Sequence, residues 1–256
     1  MNKTFRPIPS SKKRLLHRVH AAALAGAFSL AAAATGFAAF VPLPQNTAED
    51  PGVALGSGTG GVTGTVIAAQ DSVFNVASDF QGVLRSMVVD TGLGYDFYYQ
   101  LVNTGVGLPD DTEMFRMKST GGFDGSSLTV SFRTDLAGLD FGTFTAGPAG
   151  GSGAYSAGTK PLFSADRDQG TSGSVGFDFS STHFVFDTPN NVTGGQTSCF
   201  SVVRTSGSTF ENVPMAINGV VGTAQVAAFA PVPEPHTAAM IAAGSIILIR
   251  RRTHRR

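Results

Sequence analysis

Short alternating runs, separated by breaks rich in glycine and proline, are the feature that most constrains the fold of this chain. Ser127–Arg133 alternates cleanly, with Leu128, Val130 and Phe132 on one face and polar side chains on the other. A period of two is typical of a half-buried strand. No stretch of residues 62–230 keeps a helical period for three turns. The body of the chain is therefore predicted to be all-β.

Other strand-like segments follow along the body from Val62 onward, rich in β-branched or aromatic residues. They are Phe80–Asp90, Tyr95–Asn103, Ser174–Phe179, His183–Phe186, Ser198–Arg204 and Val220–Phe229. The 32 glycines and the low charged fraction of 14% agree with many turns. This pattern predicts a single antiparallel β-sandwich of jelly-roll-like form over residues 62–230.

Charge is distributed unevenly, although the whole chain is formally neutral. Residues 1–39 carry six basic residues and no acid, and residues 231–256 carry five arginines and one acid. Residues 40–230 therefore hold seven basic and seventeen acidic residues, a formal charge of −10. The negative electrostatic field of this charge repels the phosphate backbones of nucleic acids, so nucleic acid is not expected as a partner.

The first 38 residues have the order of an export signal. A basic stretch from Lys3 to Arg18 precedes an apolar and small-residue run, Ala21 to Phe40, which predicts a signal helix. Signal peptidase is expected to cut after Ala38, with Gly36 as the second small residue. A cut in 34–36 and a permanent N-terminal anchor are the alternatives.

A three-part segment occupies residues 231–256. It begins with Val232-Pro233-Glu234-Pro235 and continues with Thr237–Ile249, thirteen residues without a charge. A helix of that length is about 20 Å long, short of the roughly 30 Å hydrocarbon core. Five arginines follow, which can reach the cytoplasmic surface and retain the segment: Arg250, Arg251, Arg252, Arg255 and Arg256. The segment is predicted to form a short transmembrane helix, and a plain membrane anchor is the alternative.

This order of motif, apolar run and arginines resembles the PEP-CTERM sorting signal. The resemblance implies recognition of Pro233, Glu234 and Pro235 by a membrane-embedded exosortase, which processes the protein. It also implies a Gram-negative host that makes extracellular polysaccharide. Loose cues such as Asp96–Gln100 resemble a β-rich ectodomain found ahead of such tails, with no activity implied.

Residues 39–61 are predicted to be a flexible linker. Their stretch Gly56–Gly61 matches G-x-G-x-x-G, but no strand precedes it and no helix follows it. A dinucleotide site is therefore rejected, and no cofactor is expected.

Catalytic and metal-binding residue types are scarce in the body. His183 is its one histidine and is expected to face solvent from a strand, whereas Cys199 is the one cysteine and is expected to be packed. His- or Cys-based metal clusters are therefore implausible. No nucleophile has a supporting motif, so an enzyme is not expected.

Acidic and aromatic residues supply the remaining candidates. Asp110-Asp111-Thr112-Glu113 and Asp166-Arg167-Asp168 are oxygen-ligand candidates for Ca²⁺, but neither has a calcium-loop spacing, so solvated loop charge is favoured. Sugar-stacking candidates are Tyr95, Tyr98, Tyr99 and Tyr155. Since Tyr98 and Tyr99 point to opposite faces of one strand, at most one of them is a surface platform.

Taken as a whole, the sequence predicts an exported, non-enzymatic cell-surface or extracellular-matrix protein, anchored in the membrane before an exosortase processes it. The alternative is a carbohydrate-binding module for the cell's own exopolysaccharide, and a hydrolase ranks last.

Overall fold

The protein is seen in a computed structural model that describes residues 40–47, 53–55, 63–76, 80–105, 113–123, 127–142, 144, 155, 157–168, 173–179, 191–220 and 222–232. These residues form an all-β structure, and no helix occurs among them. The strands are β1 (Val41–Leu43), β2 (Val53–Ala54), β3 (Gly64–Val76), β4 (Phe80–Asp90), β5 (Tyr95–Asn103), β6 (Met114–Ser119), β7 (Leu128–Arg133), β8 (Leu139–Asp140), β9 (Ser164–Arg167), β10 (Val175–Asp178), β11 (Phe200–Arg204), β12 (Phe210–Gly219) and β13 (Thr223–Pro231).

The strands pair into two sheets. One sheet has seven strands in the order β1-β7-β11-β5-β4-β3-β8, and the other has six in the order β13-β12-β6-β10-β9-β2. Named strands pair antiparallel except β3 and β8, which are parallel at Gly64↔Leu139 and Thr65↔Asp140. The all-β prediction is confirmed, and its purely antiparallel form is corrected at this short pair.

The main core lies between the two sheets, because alternate side chains of each sheet meet there. On β5 the inward residues are Phe97, Tyr99 and Leu101, all fully buried. The Tyr99 ring lies 6.4 Å from the ring of Phe177 on the opposite sheet. Offset and tilted aromatic pairs of this kind add to the burial of apolar area.

One edge of the six-stranded sheet is held against the seven-stranded sheet by hydroxyl groups. The edge strand β13 carries the carbonyls of Ala227 and Phe229. Ser72 donates to the first at 2.6 Å, and the Tyr99 hydroxyl donates to the second at 2.5 Å. Since exposed edge strands are templates for unwanted pairing, these bonds protect β13 as well as joining the sheets.

At the opposite edges, the N-terminal segment passes from one sheet to the other. β1 pairs with β7, Thr47 bridges Arg167, and β2 pairs with β9. Arg167 is buried and donates to the carbonyls of Leu43 and Phe123. The flexible-linker prediction for 39–61 is therefore wrong at β1 and β2, whose backbone hydrogen bonds fix them in the two sheets.

Candidate functional site

The buried charged side chains of the described residues lie mainly on the outer faces of the sheets rather than in the main core. On the seven-stranded sheet, outward side chains form a second apolar cluster with polar groups beside it. Its buried members are Val66, Met87, Val89, Tyr98, Phe200 and Val202, and it is covered in part by Phe40, Leu136, Leu139, Phe141, Phe144 and Tyr155. This covering explains why outward polar residues of the sheet are also buried.

Three residues at the margin of that cluster, Asp71, Arg85 and Tyr155, form what we call the Asp71 site. Asp71 and Arg85 face each other across β3 and β4, with Arg85 Nε 3.6 Å from Asp71 Oδ1. Their side chains are only 8% and 7% exposed. The Arg85 guanidinium carbon lies 5.8 Å from the centre of the Tyr155 ring, within range of a cation–π contact.

Two of the three residues in the Asp71 site, Asp71 and Tyr155, have buried polar atoms that lack hydrogen bonds within the described part of the chain. Neither carboxylate oxygen of Asp71 has a hydrogen-bond partner there, and nor does the buried hydroxyl of Tyr155. Burial raises the pKa of Asp71, and the charge of Arg85 opposes the rise. Burial, and then the charge of Asp71, raise the pKa of Tyr155 well above its usual range. Unsatisfied buried groups of this kind favour a ligand or water that supplies the missing bonds.

Arg133 and the Tyr98 hydroxyl are hydrogen-bonded to each other on the same face. Arg133 is fully buried and donates to the Tyr98 hydroxyl at 3.3 Å and to the Ala137 carbonyl at 2.6 Å. Burial raises the pKa of Tyr98 to about 12, the charge of Asp96 adds to the rise, and the Arg133 bond opposes it. The Tyr98 hydroxyl therefore already has a hydrogen-bond partner among the described residues.

Asp96 and Arg204 form a bidentate ion pair with both N–O distances at 2.8 Å. The guanidinium carbon of Arg204 lies 3.9 Å from the centre of the Phe40 ring. Burial raises the pKa of Asp96, and the hydrogen bonds from Arg204 oppose the rise. The pair fixes Phe40, the first described residue, onto the sheet.

A second buried ionic cluster lies on the six-stranded sheet. Arg116 Nη2 is 2.6 Å from Asp166 Oδ1, and its Nη1 is 2.7 Å from Asp178 Oδ1, with all three residues at most 2% exposed. Gly176 lies between them, and a Cβ there would come within 2.4 Å of Asp166 Oδ1. The close approach therefore requires glycine. Charge-assisted bonds of this length belong to a structural ion cluster.

This cluster overturns the loop interpretation of Asp166-Arg167-Asp168. Asp166 and Arg167 lie in β9, and Asp166 is buried against Arg116. Asp168 forms an ion pair of 2.8 Å with Lys118. Solvated loop charge was therefore wrong for Asp166 and Arg167, because Asp166 is buried against Arg116 and Arg167 donates to the Leu43 carbonyl. Asp168 follows the strand and its side chain is 37% exposed, so it keeps a solvated position. Glu113 is buried and accepts a 2.6 Å hydrogen bond from Asn191, while residues 110–112 lie outside the described residues.

The other candidates from the sequence are placed as follows. Tyr98 and Tyr99 do point to opposite faces, but both are at most 1% exposed, so neither is a surface platform. Cys199 is packed as predicted, and burial raises the pKa of its thiol to about 11. His183, the cleavage residue Ala38, the sorting residues 233–235 and the arginines of the tail lie outside the described residues.

Within the described ranges, no group of three or more His, Cys, Asp or Glu side chains is arranged to hold a metal ion. The same ranges contain no helix long and apolar enough to cross a membrane. No family model matches the chain, and no curated protein or solved structure shows significant similarity to it.

The Asp71 site could not be found from the sequence. Asp71 and Arg85 are fourteen positions apart in different strands, and Tyr155 follows a glycine-rich stretch. Only the β3–β4 register and the covering of the outer face bring the three side chains together.

Proposed function

We propose that this chain is an exported, non-enzymatic cell-surface or extracellular-matrix protein whose body is a β-sandwich ectodomain of jelly-roll-like form. Signal peptidase would release it after Ala38, and an exosortase would sort and process it at Pro233-Glu234-Pro235. Until then Thr237–Ile249 and the arginines after it would hold it in the membrane. The observation that carries the proposal is this order of motif, apolar run and arginines directly after the last strand.

The end of the body supports this arrangement. β13 ends at Pro231, and the backbone N–H of Val232 still donates to the Thr209 carbonyl at 3.2 Å. The next residues, Pro233 to Pro235, include two that cannot donate a backbone hydrogen bond, so they are poorly suited to extend the sheet. An enzyme could therefore grip the motif without unfolding the domain.

The chemistry of the body supports a role other than catalysis. Four of its five arginines are buried, and their partners in the described residues are carboxylates, carbonyls or aromatic groups. Burial raises the pKa of the Cys199 thiol, so the reactive thiolate is scarce at neutral pH. The cysteine and four of the arginines of the body are thus part of its packing.

Replacing Glu234 by alanine in the native host tests the proposal. The variant should keep the arginine tail and accumulate in the inner membrane, whereas the unaltered protein should reach the outer envelope or medium without it. Glu211→Ala is the matched control, since Glu211 is an exposed acid at the same end of the body. Identical processing and location of the Glu234→Ala variant and the unaltered protein would overturn the proposal.

A carbohydrate-binding role is the second candidate, and the Asp71 site favours it. The Asp71 carboxylate and the Tyr155 hydroxyl, which lack hydrogen bonds, and the Tyr155 ring suit a ligand that carries both hydroxyl groups and C–H faces. Because the body is acidic and its arginines are mostly buried, the ligand would be a neutral exopolysaccharide rather than an anionic one.

Affinity electrophoresis in gels that contain the host's neutral polysaccharide tests this second role. The unaltered protein should be retarded, and Asp71→Asn and Tyr155→Phe should each reduce the retardation. Val73→Ser, on the same strand two residues away and 77% exposed, should leave it unchanged. Unretarded migration of the unaltered protein would exclude binding.

A further inference from the structure

The end of the body from which the tail emerges contains three segments without charged side chains, flanked by Asp90 and the exposed Glu211. Three segments surround Pro231 there: Thr91–Gly94, Ser119–Gly122 and Thr205–Thr209, and none contains a charged residue. A Cβ on Gly122 would lie 3.1 Å from the Pro231 carbonyl oxygen, and one on Gly207 would lie 3.8 Å from Pro231 Cβ. The three segments and Pro231, where the chain leaves the body, therefore lie together at one end of the body.

Leu93 protrudes from this end. It is 92% exposed, the most exposed of the large apolar side chains in the described residues. Glycines on both sides leave it unshielded, and the turn is fixed because the Thr91 N–H donates to the Gly94 carbonyl at 3.1 Å. The Tyr95 N–H donates to the Gly207 carbonyl at 3.2 Å, which ties the Leu93 turn to the segment that contacts Pro231.

The apolar run of the tail begins close to this end. From Val232 to Thr237 there are five residue steps, which span at most about 18 Å when fully extended. If the run lies in a bilayer, this end of the body cannot be far from the membrane surface. An apolar tip gains free energy from leaving water, and the three uncharged segments beside it have no ions that must be stripped of water.

We infer that the Leu93 turn is a membrane-contact point, inserting its side chain into the lipid interface beside the emerging tail. This inference rests on the proposed membrane segment at Thr237–Ile249. The tail supplies the attachment, and Leu93 sets the orientation, so that the end of the body beside Pro231 faces the lipid. Orientation matters because it presents the Pro-Glu-Pro motif at the membrane surface, where a membrane-embedded enzyme works.

Val73 is a matched control position. It is an apolar strand residue that is 77% exposed, but it pairs with Val83 in the half of the β3–β4 hairpin remote from the Asp90 end. The Leu93 turn directly follows Asp90. A fluorophore at position 73 therefore samples an exposed apolar site of the same body away from the proposed contact.

The test uses the full chain in vesicles of phosphatidylethanolamine with a minority of phosphatidylglycerol. In a Cys199→Ala background, Leu93→Cys and Val73→Cys are each labelled with an environment-sensitive fluorophore, and lipids carrying nitroxide are the quencher. Position 93 should show a blue-shifted emission and quenching by lipid, while position 73 should show neither. Circular dichroism confirms that both labelled proteins keep the fold.

Flotation of the same samples tests the membrane segment separately from the Leu93 contact. Protein that floats with the vesicles but shows equal quenching at 93 and 73 overturns the role of Leu93 and leaves the membrane tail standing. Protein that does not float overturns the membrane segment and the Leu93 contact together.

Discussion

Replacing Arg116 by methionine should cost far more stability than replacing Lys118 by the same residue. Arg116 holds two buried aspartates at 2.6 and 2.7 Å, and its side chain is 2% exposed. Removing it leaves Asp166 and Asp178 buried together without their shared cation. Breaking a buried ion pair from one side typically costs about 3–5 kcal/mol. Against a total stability of about 5–15 kcal/mol, such a loss is easily measured.

Lys118 is the internal control, because it lies two residues further along β6 and makes an ion pair of similar length. The side chains of Lys118 and Asp168 are 25% and 37% exposed, so water already solvates the pair. Exposed pairs contribute about 0–1 kcal/mol, and Lys118→Met should stay within that range. Both substitutions remove one positive charge, so a difference between them reports on burial.

The assay is equilibrium urea unfolding followed by circular dichroism, with linear extrapolation to zero denaturant. The expected result is an unchanged slope for both variants and a much lower midpoint for Arg116→Met alone. Equal midpoints for the two variants would refute the reasoning that the Arg116 cluster is a buried, mutually dependent group.

Three further predictions concern buried hydroxyl and thiol groups. Tyr99→Phe leaves the Phe229 carbonyl without its 2.5 Å bond and should cost about 1–3 kcal/mol in the same urea assay; no loss would mean that water replaces the bond. Burial raises the pKa of Tyr98 to about 12 and also raises those of Tyr99 and Tyr155, so stability should hold below pH 10 and fall as the pH rises towards 12. Ultraviolet titration should show these tyrosines ionising only as the protein unfolds, and their ionisation in a folded protein would contradict this. Cys199 should react with a thiol reagent only after unfolding, because it is buried and its thiol pKa is raised to about 11; rapid labelling of the native protein would contradict this.

The strongest strand signals were predicted well from the sequence. Phe80–Asp90 and Tyr95–Asn103 are confirmed as β4 and β5 with the same bounds. The inward set Leu128, Val130 and Phe132 is also confirmed, since all three belong to the main core. In these segments the apolar content and the alternation agree with the observed burial, so the local sequence pattern is sufficient to predict the strands.

Strands with polar or turn-forming residues were not predicted. β6 carries Arg116 and Lys118 on one face, and β12 contains Pro214 and two asparagines, residue types that are depleted in strands. Pro214 is tolerated because β6 ends at Ser119, opposite Met215, so no ladder bond to β6 is lost there. Such positions depend on partners that are distant in sequence.

The sequence also did not predict that side chains on the outer faces of the sheets are buried. Ser127–Arg133 was predicted to be a half-buried strand, yet Ser131 and Arg133 on its polar face are also fully buried. Arg133 finds its partners in Tyr98 and Ala137, one on another strand and one in the turn that follows β7. A period of two identifies the two faces of a strand but not what covers each face.

The most direct test of the central claim is the intact mass of the protein isolated from envelope and extracellular fractions of its native host. Signal-peptidase cleavage and exosortase processing together predict a chain that begins after Ala38 and ends near Pro235, without the arginine tail. A chain in those fractions that still ends at Arg256 would contradict exosortase processing.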